Sequence, residues 1–435
     1  MEIKAFRAFR YDPGTVGNVG NCISPPYDVI NPQQQQALYE KSPYNIVRII
    51  KGKAEASDDQ AENQYSRAAA FLNEWIEKGV LKQDSEQAIY GYVQNFQIAG
   101  ISYQRYSFIA LAKLEPFGEI VRPHEKTLND PIADRLSLKK ATEAGFGLIY
   151  LLYGDQKGVA DKIIEEAARG KPRIDFKDDL DVRHRLFVID QPEDINAIED
   201  MMRDKSCIIA DGHHRYTTAL NYLENCNPGA KYQMLAFSNT SQGGLVVLAT
   251  HRLVANLDDF GLEQLLDGLD ADFEVSSFDF DSPQAKADAK QKMLSGLKTQ
   301  FQADRNAFGI YCGGDKFYVA VLKDQAAMAP IAPDMSEAWR SLDVAVLHRL
   351  ILEKILGIDE KKLAKQANVQ YVKDTSDAID ESIAAVDNGQ KQAAFFMNPP
   401  KLEQMNKVAD NGERMPQKST FFFPKVYTGL TIHKF

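Results

Sequence analysis

The chain has little of what staples small secreted or metal-bound proteins together. Its 435 residues include four cysteines, Cys22, Cys207, Cys226 and Cys312, with no C-x-x-C pair among them. That spacing argues against a disulfide framework and against a cysteine-based structural zinc site. No apolar run approaches the roughly 18–20 residues of a membrane span. Positive charge is in deficit: 51 Lys and Arg against 61 Asp and Glu give −10 with neutral histidines. Broad nucleic-acid binding needs clustered positive charge to displace counterions, so nucleic acid is not an expected partner. A small basic pocket remains compatible with this balance. The opening Met1-Glu2-Ile3-Lys4-Ala5-Phe6-Arg7 carries charges where a signal peptide would place its apolar core. The expectation is a reduced, soluble, cytoplasmic protein with no membrane partner, and nothing in the composition points to an oligomeric state.

What is present is ordinary globular chemistry. Hydrophobic residues at 44% and charged residues at 26% place the chain well away from disorder. At about 150 residues per domain, the length suggests two or three domains. There is no internal repeat, and Gln33 to Gln36 is too short to mean more than a solvated turn or helix start.

The pattern along the chain mixes both periods. Ser24-Pro25-Pro26-Tyr27-Asp28 cannot enter a helix interior, because two prolines remove amide donors and fix φ. Tyr65, Ala68, Leu72, Trp75 and Ile76 form one apolar stripe, predicting a helix over 58–78. Residues 88–114 read as a β-hairpin turning at Ala99-Gly100. Strands are expected at 147–153, 186–189, 232–237 and 245–249, with a helix over 159–168. Cys207-Ile208-Ile209-Ala210 reads as a strand that runs straight into a helix carrying Tyr216, Ala219, Leu220 and Leu223 on one face.

Further on, Ser282-Pro283 makes an N-cap and N1 pair for a helix with Met293, Leu297 and Phe301. A hairpin is expected over 307–322, an almost wholly apolar helix over 342–356, and strands at 369–372 and 394–397. The fold class is therefore α/β (α+β), in four segments. Residues 1–84 are loop-rich and helical, 85–254 form a core, 255–365 an accessory α/β subdomain, and 366–435 a C-terminal α/β segment.

Three polar constellations stand out. Asp211-Gly212-His213-His214-Arg215 falls on the strand-to-helix junction. A helix N-terminus presents unpaired N–H groups and partial positive charge, so it favours an anion. Gly212 allows close backbone approach, and the Arg215 guanidinium can grip phosphate bidentately. Asp211 can act as a base or hold magnesium beside a phosphate. The bland alternative is a capping aspartate before exposed polar residues. Zinc fits poorly, since adjacent helical histidines point about 100° apart.

Arg122-Pro123-His124-Glu125-Lys126-Thr127, continuing to Asp134-Arg135, reads as a loop that can aim a carboxylate as general base. On residues alone the better reading is a solvated charged turn. Met415-Pro416-Gln417-Lys418-Ser419-Thr420 precedes Phe421-Phe422-Phe423-Pro424-Lys425. A tail strand docking its phenylalanines in the core is the plain reading, with lysine and hydroxyls able to bind a carboxylate or phosphate.

Ile209 to Tyr216 resembles the ParB/sulfiredoxin-like superfamily. Together with Ser24 to Val29 and Arg122 to Thr127, it is similar to a bacterial family of uncharacterised proteins, domain of unknown function number 1015. The order Pro123-His124-Glu125, Asp211 to Arg215, Pro416 to Thr420 also resembles the archaeal ADP-dependent free serine kinases. The resemblance implies a ParB/sulfiredoxin-like catalytic core with an inserted α/β subdomain. It implies a phosphotransferase interconverting L-serine and O-phosphoserine, with ADP, ATP or pyrophosphate as co-substrate and Mg2+ as cofactor.

In that reading Glu125 is the catalytic base, and Asp211 is catalytic and a metal ligand. Gly212, His213, His214 and Arg215 bind phosphate, while His124, Lys126, Arg135, Lys418, Ser419 and Thr420 bind substrate. Departures exist: the stretch from Glu125 to Asp211 is longer than in those kinases, and 255–365 has no counterpart. Sulfiredoxins carry cysteine where this chain has His213, so their nucleophile is missing. ParB-type switches use a Gly-Glu-Arg-Arg segment where this chain has Gly-His-His-Arg. The alternatives are a ParB-like nucleotide-binding regulatory protein without transfer and a phosphoserine phosphatase.

Overall fold

The computed structural model describes residues 1–125, 129–365 and 367–435. They divide into two units: one holds residues 1–123, 127–246 and 424–435, the other 124–126 and 247–423. The fold is mixed α and β throughout.

The first unit is built on a mixed sheet, with nine strands among the described residues. The long hairpin Ile89–Ile98 and Ile101–Lys113 forms its middle, turning on Ala99 and Gly100, both at positive φ. Tyr232–Asn239 runs antiparallel to the hairpin's second strand and parallel to Ile149–Tyr153. Cys207–Asp211 follows, antiparallel to Ile149–Tyr153 and parallel to Val121–Pro123. Its register shifts between Ile209 and Asp211, an irregularity of the kind that re-aims a side chain at a strand end. Phe108 and Phe237 stack in the core beside Leu151, Ile209 and Tyr216, all essentially without exposure.

Helix Gln64–Glu77 is shorter than the stripe predicted. Asn63 takes the Tyr65 and Ser66 amides, and Ser66 returns a capping bond, so the helix begins there. Residues 58–62 form a turn around the Asp59 carboxylate instead. Helices Asn129–Thr142 and Pro192–Met202 were not anticipated, and of the two readings of the glutamine run the helix start, at Pro32–Lys41, is the one present. Helix Pro32–Lys41 starts at an Asn31 capping box, so the glutamine run is a helix.

The second unit holds an antiparallel sheet, with six strands among the described residues. Their order is Phe273–Asp279, Lys316–Leu322, Ala307–Tyr311, Ala393–Met397, Thr250–Val254 and Val369–Lys373. Helix Pro283–Gln302 covers it through Met293 and Leu297, capped by the Ser282 hydroxyl as expected. Strands from 250–254, 307–322 and 369–397 thus share one sheet. The sheet's pairing joins strands from the segments expected as 255–365 and 366–435.

The apolar stretch over 342–356 is helical but not uniformly α. Asp343–Val346 is α-helix, and Leu347–Glu353 continues it as π-helix. No helix among the described residues is long and apolar enough to cross a membrane. All four cysteines are free.

Candidate functional site

In the first unit the chemistry gathers where strand Cys207–Asp211 becomes helix His213–Asn225. Gly212 makes the joint at φ +95°, and a Cβ there would lie 3.1 Å from the Arg215 guanidinium. A side chain at this position would meet both backbone strain and the arginine. The Asp211 carboxylate lies half-buried between two cations. Lys425 Nζ donates to Oδ1 at 2.7 Å, and Arg215 Nη2 donates to Oδ2 at 2.6 Å. Burial opposes the charged form of Asp211, yet Lys425 and then Arg215 hold its carboxyl well below the usual range. Arg215 Nη1 also donates to the Leu148 carbonyl, so the guanidinium is held from two sides.

Arg215 and Arg135 line one small pocket of about 70 Å³, with Tyr27, Lys139 and Gly147 in its wall. Arg135 stacks over the Tyr27 ring at 4.0 Å and donates to Asp134 Oδ2 and to the Ile50 carbonyl. The Ser24–Asp28 segment thus contributes Tyr27 to the wall of this pocket. Lys139, 8% exposed, donates to Gln233 Oε1 at 2.6 Å, and burial pushes its ammonium down to about 7. His213 is buried and His214 half-buried at the start of the helix.

The second unit holds the other carboxylate. Glu125 forms a parallel bridge with Met415, and the Met415 amide donates to the His124 carbonyl at 2.7 Å. The Lys418 amide donates to Glu125 Oε1 at 2.9 Å, with Lys418 at φ +57°. Fully buried His124 hydrogen-bonds Thr420 Oγ1 through Nε2 at 2.8 Å. Ser419 turns its hydroxyl back to the Pro416 carbonyl. Arg252, buried on strand Thr250–Val254, donates to the Lys418 carbonyl at 3.0 Å. Burial lowers its guanidinium to about 10, partly offset by Tyr371 and Glu125.

The structure thus brings Asp211, Gly212, Arg215 and Arg135 together in one unit. It brings His124, Glu125, Lys418, Ser419 and Thr420 together in the other. Lys126 lies outside the described residues. Lys425, Lys139, Tyr27 and Arg252 belong to these clusters and were not anticipated as site residues. Lys425 lies 214 residues from Asp211 in sequence, so no local spacing could have paired them.

Both Asp211 oxygens already accept from cations, so a magnesium ion bound there would share them with Lys425 and Arg215. Among the described residues, no group of three or more His, Cys, Asp or Glu could hold a metal ion.

Residues 3–345 match the model of a family described as "Protein of unknown function (DUF1015)". The chain belongs to this family. No curated protein matches this DUF1015 chain in sequence. Among solved structures it is similar to a free serine kinase in complex with AMP, at 14% identity and a TM-score of 0.35, covering 72% of this chain and 86% of that one. A conserved hypothetical protein from Pyrococcus furiosus matches at 15% identity and 0.32, covering 72% of this chain and 95% of that one. SbnI with C-terminal truncation from Staphylococcus aureus matches at 10% and 0.33, covering 73% and 84%. At such scores the reading of function is left to the geometry.

Proposed function

We propose that this DUF1015 protein is a small-molecule phosphotransferase, serine kinase-like, that interconverts L-serine and O-phosphoserine with ADP, ATP or pyrophosphate. The observation that carries the reading is the charge set at the start of helix His213–Asn225. There Asp211 fixes Arg215 and Lys425, and Arg215 shares a pocket with Arg135. Two guanidiniums on one small pocket, beside a helix N-terminus and a glycine without a Cβ, suit a phosphate better than any neutral ligand. The motif order shared with the free serine kinases supplies the acceptor, an amino-acid hydroxyl.

Transfer places each group in a role. The serine hydroxyl oxygen attacks the terminal phosphorus while its proton passes to a Glu125 carboxylate oxygen. The bond from phosphorus to the bridging oxygen breaks, and the leaving phosphate or nucleotide keeps that electron pair. Arg215, with His213, His214 and the helix amides, steadies the equatorial oxygens, since positioning and charge do most of the work in phosphoryl transfer. Asp211 is a positioning residue that holds Arg215 and Lys425 in place. The Lys418 amide orients Glu125, and His124 with Thr420 fixes the loop on which it sits. Lys418, Ser419 and Thr420 remain the proposed contacts to the amino acid. Run backwards, the same groups make serine from phosphoserine.

The test is phosphorus NMR of the full chain with serine, Mg2+ and each of ADP, ATP and pyrophosphate in separate tubes. A phosphoserine signal with at least one donor is expected. No phosphoserine with any donor, while nucleotide still binds, would overturn the transferase reading. Phosphate released from phosphoserine without a second phosphate compound would show a phosphatase instead.

A further inference from the structure

The second unit contains a cavity of about 290 Å³ that no part of the proposed reaction uses. Its size falls at the lower end of small-molecule sites, which run from about 300 to 1,000 Å³. Met335, Trp339 and Leu363 give it apolar walls. His348 and Tyr371 line it too, and their Nε2 and hydroxyl atoms are buried without a hydrogen-bond partner. Such orphaned atoms are rare in a folded protein and call for a partner that is not part of the chain.

His348 is 7% exposed and lies on the π-helical turn Leu347–Glu353. Single π-turns inside helices occur often at functional sites, because the looser turn shifts side chains out of the α register. Arg349 and Glu353, on the same turn, are paired at 2.6 Å and also line the cavity.

The lining charges balance. Arg349 and Arg414 face Glu353 and Glu360, and burial together with Arg252 and Arg349 keeps His348 neutral. A phosphate would meet two carboxylates here, unlike in the pocket of the first unit. A ligand with no net charge, one polar end and an apolar remainder suits both the balanced rim and the indole wall. We infer that this cavity binds a free amino acid with an aliphatic or aromatic side chain, taken as its zwitterion, with His348 and Tyr371 bonding its polar end. Pro416 and Gln417 line the same cavity, immediately before the Lys418 amide that holds Glu125. The inference is read by binding alone and does not rest on the phosphotransfer reading.

The chain has two tryptophans, Trp75 and Trp339. In the full chain with Trp75→Phe, Trp339 is the only indole reporter. Titration with leucine, methionine and phenylalanine is expected to give a saturable change in its emission with at least one of them. Inorganic phosphate is expected to give none. Tyr371→Phe, which removes only the orphaned oxygen, should weaken that binding about five- to tenfold. Calorimetry on the chain with both tryptophans repeats the measurement if Trp75→Phe lowers stability. No saturable signal with any amino acid by either method, equal affinity in Tyr371→Phe, or a stronger response to phosphate would overturn the assignment.

Discussion

The two carboxylates at the centre of this account are held in opposite ways. Asp211 sits at the end of a sheet strand, half-buried between Lys425 and Arg215, with both oxygens bound by charged groups. Glu125 sits on a loop, and one of its oxygens accepts from a backbone amide, that of Lys418. A carboxylate between two cations is held ionised and is a poor proton acceptor. The difference agrees with the proposed roles, in which Asp211 organises charge and Glu125 takes the proton.

Substitutions can break that contrast, the largest effect coming first. Glu125→Gln keeps the shape and the bond from the Lys418 amide but removes the base. Transfer should fall by roughly 10²–10⁴-fold, with nucleotide affinity unchanged, as read by phosphoserine formation alongside calorimetry. Asp211→Asn leaves two half-buried cations without their counter-charge. Stability should drop by roughly 3–5 kcal/mol in urea unfolding, whereas Glu125→Gln should leave the midpoint nearly unmoved. Should Asp211→Asn unfold no earlier than the unsubstituted chain, the ion-pair account of that site fails.

Arg215→Ala should weaken phosphate-ligand binding by about 1.5–3 kcal/mol, the scale of a charge-assisted contact. A further effect is a slope. Lys139 has its folded pKa lowered to about 7 from 10.5. Between those values the unfolded chain binds the extra proton, so stability should rise with pH across that window, by about 1.4 kcal/mol per pH unit at most. Below about 7 both states are protonated, and the cost of the buried ammonium is present in full. Lys139→Met should remove the slope, measured as urea midpoints at pH 6.5, 8 and 9.5. An unchanged slope would place the titration elsewhere.

Legibility in the sequence followed the same division. The Asp211–Arg215 junction was readable because a short apolar strand, a glycine and a helical stripe are all local signals. The hairpin at 88–114 and the Ser282-Pro283 helix start were readable for the same reason. Lys425 was not, since its partner is a distant residue and an isolated lysine after a proline carries no pattern. Lys418 was picked out for its ammonium, whereas the structure uses its amide to hold Glu125, a role no side chain announces. The π-turn at Leu347–Glu353 was equally hidden, because a helix buried nearly all round offers the same apolar run whether its bonds reach four residues or five. The helix at Pro32–Lys41 was only half legible, because its residues are mostly polar and its clearest local signal is the Asn31-Pro32 cap.

The most direct measurement is calorimetric titration of ADP, ATP and pyrophosphate into the unsubstituted chain, Arg215→Ala and Glu125→Gln, side by side. At least one ligand is expected to bind the unsubstituted chain and Glu125→Gln equally, and Arg215→Ala about ten- to a hundredfold more weakly. Equal affinity in all three proteins, or no binding of any of the three ligands to the unsubstituted chain, would contradict the assignment of phosphate to the Asp211–Arg215 cluster.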